Sequence, residues 1–116
     1  MKRSEETKSM DRRYLLDDEK RLLTVLLNKA GIFKPDDWLD SVLITPMNDG
    51  GMGSYFISKE RYTSIASDVL FLDEDHIEVL ASLYVNSAGE PCEVDVWKMN
   101  YSKLKRIPPV IVDIRV

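Results

Sequence analysis

The chain is poor in the residues that carry most enzyme chemistry. Among 116 residues it has one cysteine, Cys92, and one histidine, His76. A lone cysteine excludes an internal disulfide, and one cysteine with one histidine falls short of a zinc set. No apolar run is long enough to cross a bilayer, and no signal-peptide core follows the charged first residues. The expectation is a cytoplasmic protein that needs no disulfide, metal or cofactor and has no place in a membrane. Basic residues are also short, with 16 Lys and Arg against 20 Asp and Glu and a net charge of −4. Dedicated nucleic-acid binders carry a basic surplus, so nucleic acid is not an expected partner. A basic protein is, because complementary fields speed encounter.

What is present is an ordinary globular composition, 44% hydrophobic and 31% charged. That suits one domain with its own core. Residues 1–13 are polar and mixed in charge, and read as a flexible tail ahead of a single domain over 14–116. The spacing predicts a helix from Leu16 to Ala30. Leu22, Leu26 and Ala30 form a stripe with Leu23 and Leu27 beside it, Asp17 or Asp18 is placed to cap the start, and Gly31 supplies the stop. Pro35 then opens a connector in which Trp38 and Leu39 pack down as a lid.

Five strands are expected after it. Ser41 to Met47, with Val42, Leu43 and Ile44 in a run, pairs with Tyr55 to Ile57 across the glycine-rich turn Asn48 to Ser54. Ser58 to Ser67 reads equally as a short helix or a loop. Asp68 to Leu72 is the third strand, the DEDH turn at Asp73 to His76 follows, and Ile77 to Val85 alternates as the fourth. The stretch Glu90 to Pro109 is the fifth and the expected centre of the sheet. Val94 and Val96 share one face, while Trp97, Met99 and Tyr101 share another, so the strand is expected to be covered on both sides or bulged. Val110 to Val116 adds a short edge strand or trails away. Short late turns make neighbours antiparallel. The fold class is α+β, an antiparallel sheet of about five strands with the N-terminal helix packed on one face.

No motif is a catalytic signature. The glycines at 50, 51 and 53 lack the following helix and Lys-Ser/Thr pair of a phosphate loop. Asp73, Glu74 and Asp75 lack the spacing of a calcium loop. His76 sits in an acidic turn without an identifiable nucleophile, and Cys92 has no base near it. Glu93 and Asp95 share a strand face. They read as paired acids of a glycosidase, as the polar side of an amphipathic strand, or, with Trp97 continuing the face, as an acidic aromatic-rimmed surface for a basic partner. No enzymatic activity is expected.

Three segments carry a resemblance: NDGGMGS at Asn48 to Ser54, FLDEDHIEVLASLYVNSAGEP at Phe71 to Pro91, and EVDVWKMNYSKLKRIP at Glu93 to Pro108. Together they resemble a family of small uncharacterised bacterial domains with an Asp-Gly-Gly-Met-Gly-Ser turn and a late Asp-aliphatic-Trp-Lys strand. Asn100 stands where that family's usual acid would be, and His76 where Asp-Gly would be commoner. The resemblance implies an immunity protein of a polymorphic toxin or contact-dependent growth inhibition system. It would bind a cognate toxin domain, expected to be a basic nuclease, and occlude its active cleft. It transfers no site residue. The contact candidates, chosen from charge and expected exposure, are Asp36, Asp37, Asp40, Glu93, Asp95 and Trp97. The alternative is a ligand-binding module or enzyme with a pocket between helix and sheet, lined by Glu93, Asp95, Trp97 and His76. A third reading, a subunit of an obligate homodimer, rests on an exposed edge strand.

Overall fold

Alternation of apolar and polar residues builds one sheet. In the computed structural model, which describes residues 11–116, the elements are β1 (Arg13–Tyr14), α1 (Asp17–Ala30), α2 (Trp38–Ser41), β2 (Leu43–Pro46), β3 (Tyr55–Phe56), β4 (Ser64–Leu72), β5 (Glu78–Val85) and β6 (Pro91–Lys98). The strands form an open antiparallel sheet in the order β1-β2-β3-β6-β5-β4. The fold is α+β with the N-terminal helix on one face.

The helix forms for the reasons its sequence gives. Leu22, Leu23, Leu26 and Leu27 are buried along one stripe, each contributing about 1.5–3 kcal/mol. It starts one residue later than expected. Its N-cap is Leu16, not an aspartate, and the Leu16 N–H donates to the Glu19 carboxylate at 2.8 Å. Asp17 and Asp18 instead sit in the first turn, where their charge suits the helix dipole. Gly31 takes the left-handed conformation (φ 71°) that ends the helix.

The helix packs on β4 and β5. Beneath it lie Val69 and Phe71 of β4, Val79, Ala81 and Leu83 of β5, and Val94 and Val96 of β6, all buried. Trp38, Leu39, Leu104, Ile107 and Ile111 close the margin of this core.

Several boundaries differ from expectation. There are six strands, because Arg13–Tyr14 pairs with Ile44 and Leu43. Arg13, expected in the tail, is held by Glu19, which its guanidinium contacts at 2.8 and 2.9 Å. The rest of the expected tail up to Met10 lies outside the described residues. β4 begins at Ser64 rather than Asp68, and a bulge between Ile65 and Ser67 hides its alternation. β6 occupies the inner position expected, between β3 and β5, but ends at Lys98. Met99 and Tyr101 therefore do not continue its face. Among the described residues no helix covers the Glu93, Asp95 and Trp97 side of β6, and the β5–β6 register shifts near its start, between Tyr84 and Val85. Val110 to Val116 forms no strand but is tied down. Ile114 N–H donates to Leu70 O, and Arg115 reaches Asp68. Asp113 accepts from both Arg115 and Lys29, whose bonds hold its carboxyl well below the usual range.

Candidate functional site

The period-two register of β6 divides it into two surfaces with different chemistry. Cys92, Val94, Val96 and Lys98 face the core, and Glu93, Asp95 and Trp97 face away from it. Pairing extends the second set into rows across the sheet. Thr45, Phe56, Glu93, Tyr84 and Ile65 are successive cross-strand partners, as are Asp95, Ser82 and Asp68, and then Trp97, Leu80 and Leu70. Among the described residues no helix lies over this face. Phe56 and Trp97 stay more than a third exposed on it, with Tyr62 half exposed beside them. A sheet normally buries its apolar residues against another layer. Aromatic and aliphatic side chains left in solvent on an otherwise ordered face mark a surface suited to a partner.

Of the acids on this face, Asp68 is held by Arg115 at 2.8 Å. Among the described residues neither Glu93 nor Asp95 enters an ion pair. Burial beside Phe56 and Tyr84, then the charge of Asp95, push the Glu93 carboxyl above the usual range. Burial does the same to the Tyr84 phenol, aided by Asp95, Tyr62 and Glu93. Asp95 is oriented from below. The Ser54 hydroxyl accepts the Val96 N–H at 2.8 Å and donates toward the Asp95 carboxylate at 3.3 Å.

An open depression of about 1130 Å³ lies at one end of this face. It is lined by Leu43, Thr45, Phe56 and Glu93 and walled by the loop from Ile57 to Tyr62. It is not between helix and sheet as the alternative reading expected, but on the opposite side. Of the four residues expected to line that pocket, it contains Glu93 and not Asp95, Trp97 or His76. His76 lies in the β4–β5 turn at φ 64°, a left-handed conformation that a glycine would adopt without strain.

The six contact candidates fall on two separate surfaces. Glu93, Asp95 and Trp97 are neighbours on the open face. Asp36, Asp37 and Asp40 are exposed in and before α2, on the helix side. There Asp40 binds Lys20 of α1 at 2.6 Å, and Asp36 borders a small hollow with Thr24 and Asn28. Phe56, Tyr62 and Tyr84 were absent from the candidates. No local pattern marks them, because the hairpin puts Phe56 beside Thr45 and only the β3–β6 pairing, across about 35 residues of chain, brings it to Glu93.

Next to the open face, three separated segments converge on Lys98. Its ammonium is fully buried and donates to Asp73 at 2.8 Å, Asp75 at 2.6 Å and the Lys103 carbonyl at 3.1 Å. Asp73 also accepts the backbone N–H groups of Glu74, Lys105 and Arg106. Burial pushes the Asp73 carboxyl up, but these four bonds outweigh it and hold it below the usual range. The hydrogen bond from Lys98 holds Asp75 down as well. The glycine turn joins the cluster. Asp49 accepts the N–H groups of Met52 and Ser54, and the Gly51 carbonyl accepts the Leu104 N–H. A Cβ on Gly51 would meet Lys103 Cγ at 2.9 Å. The turn is thus more than a hairpin connection, since it seats the segment after β6. Asn100 closes that segment by accepting from the Ser102 N–H and hydroxyl, bonds that a carboxylate would make equally well. Beyond it Tyr101, at φ 65°, brings its ring to 6.0 Å from that of Trp97.

Residues 12–108 match the family described as Domain of unknown function (DUF6984). The chain belongs to that family. The matched span takes in all eight elements and the Lys98 cluster, and stops before Pro109. No curated protein and no solved structure matches the chain. Among the described residues no group of three or more His, Cys, Asp or Glu is placed to hold a metal ion, and no helix is long and apolar enough to cross a membrane.

Proposed function

We propose that this DUF6984 domain is a binding protein that acts by occlusion, as an immunity protein does, docking the open face of its sheet over the basic active cleft of a toxin domain. The observation that carries the reading is the set of acids and exposed aromatics on β6 and its neighbours: Glu93 and Asp95, which form no ion pair among the described residues, and Trp97, Phe56 and Tyr62. Aromatic anchors ringed by charge are the usual composition of an energetic contact centre. Carboxylates of this kind suit the lysines and arginines with which a nuclease holds phosphates. The helix-side acids Asp36, Asp37 and Asp40 play no part in this docking. The Lys98 cluster acts as a rigid footing that fixes the end of β6 and the Trp97–Tyr101 pair.

The test is co-expression with the toxin-like domain encoded beside this gene. The expected result is relief of that toxin's growth arrest and a one-to-one complex on purification. Growth arrest that persists, with the two proteins eluting separately, refutes the reading.

A second reading is favoured by the depression itself. Its floor carboxylate suits a ligand-binding module, in which a small molecule would sit over Glu93. A ligand retained by the purified protein and released on denaturation would favour it over docking.

A further inference from the structure

We infer that the depression on the open face is a receptor for one organic cation, and that its occupant is an arginine side chain of the docked protein partner. The inference rests on the docking reading above and names what the partner must present there. Register places Phe56 and Tyr84 directly on either side of Glu93 in the same face. Directly paired residues on neighbouring strands stand about 5 Å apart, so the carboxylate is flanked by two aromatic rings. Tyr62 adds a third, its ring centre 4.5 Å from that of Tyr84 and tilted by 52°. Phe56 and Tyr62 line the depression with Glu93, and Tyr84 stands behind Tyr62; aromatic rings beside an acid are the chemistry of cation recognition. The ring faces attract a cation through their quadrupoles, and the carboxylate takes its N–H groups.

Counted with Glu93, the charge lining the depression is balanced, three acids against three bases. Asp11, Glu60 and Glu93 line it together with Arg12, Lys59 and Arg61. Selectivity therefore falls on the carboxylate at the floor. Glu93 is the acid drawn up by burial there, with no hydrogen bond among the influences on it. A partly desolvated carboxylate of this kind gains most from an arriving cation. Guanidinium fits better than ammonium because its plane stacks on a tyrosine while its fork meets both carboxylate oxygens. A side chain fits better than a free metabolite. The depression is open, and at about 1130 Å³ it exceeds the roughly 300–1,000 Å³ that encloses a small ligand. A free cation would stay in solvent, whereas a docked partner seals the site with its own surface.

The experiment is a titration of isotopically labelled protein with N-acetyl-arginine methylamide, followed by NMR, beside its neutral citrulline counterpart. Shifts gathered on Phe56, Tyr62, Tyr84 and Glu93 with arginine, none with citrulline, and none in Glu93→Gln are the expected result. No localised shift, equal shifts from citrulline, or shifts that persist in Glu93→Gln overturn the inference. A second arm measures the toxin domain against wild type, Glu93→Gln and Tyr62→Ala, where a loss of about tenfold or more in affinity is expected for both variants. Equal toxin binding by all three overturns the cation receptor and leaves the docking reading standing. Capped arginine binding without toxin binding leaves the receptor standing and removes the toxin.

Discussion

Changing one buried oxygen at Asp73 tests whether the Lys98 cluster holds the end of the sheet. In Asp73→Asn the amide oxygen takes the place of the oxygen that accepts from Glu74 and Arg106, at 2.7 and 3.0 Å. Its NH₂ group then faces the Lys98 ammonium and the Lys105 N–H, which now sit at 2.8 and 2.7 Å from an acceptor. Donor meets donor twice, in a place where the native side chain is wholly shielded from solvent. Breaking one partner of a buried pair costs about 3–5 kcal/mol. For a domain of this size that lowers the melting temperature by roughly 10–20 °C. The assay is thermal and urea unfolding followed by near-ultraviolet circular dichroism, with Asp36→Asn on the exposed connector as control. The pH dependence follows from sign. The folded Asp73 carboxyl lies below its unfolded value of about 3.9. Its contribution is therefore present above that pH and is lost as pH falls through the lower folded value. Wild type and variant should be fully separated above about pH 4 and converge as pH falls through the lower folded value. A variant with the stability of wild type at pH 7, or a difference that grows in acid, refutes the reasoning.

Three further outcomes follow from the same contacts. Leu26 is fully buried beneath the sheet, so Leu26→Asp should leave the domain largely unfolded by far-ultraviolet circular dichroism at room temperature. Gly51→Ala and Gly89→Ala both place a side chain at positive φ, but only Gly51 meets a neighbour, Lys103 Cγ at 2.9 Å. Urea unfolding should show about 1 kcal/mol lost at Gly89 and clearly more at Gly51, and equal losses would contradict the seating of Leu104 on the turn. Glu93→Gln should raise the melting temperature at pH 7. The folded Glu93 carboxyl lies above its unfolded value, drawn up by burial and Asp95, with Tyr84 facing it from β5 and Arg12, Lys59, Glu60 and Arg61 around the depression. Ionisation therefore opposes folding, so the gain should vanish as pH falls below about 4 and appear as pH rises through the folded value.

Periodicity carried the large elements. The leucine stripe of α1 and the alternation from Val79 to Val85 survive in the structure because each buries one face against the other. Where periodicity is short or interrupted, the reading failed for physical reasons. Arg13–Tyr14 is two residues long, and its reason to pair lies in Glu19, six positions on. Ser64 to Ser67 hides its strand behind polar residues and a bulge. Lys98 occupies the core position that Val94 and Val96 predict, yet a lysine there makes sense only with Asp73 and Asp75, which lie 25 and 23 residues earlier. The candidate site was half legible. Glu93, Asp95 and Trp97 share a face by simple alternation, whereas Phe56, Tyr62 and Tyr84 join them only through strand pairing and a loop. Charge and expected exposure put Asp36, Asp37 and Asp40 with them, and neither carries an address in space.

The claim on which the account turns is that the sheet face away from the helix, and not the helix side, meets the partner. Calorimetric titration of the toxin domain proposed as partner against Asp95→Lys and Asp40→Lys tests it directly. The account predicts that reversal at Asp95 abolishes binding while reversal at Asp40 leaves the affinity of wild type. Binding that survives at Asp95 and is lost at Asp40 contradicts it.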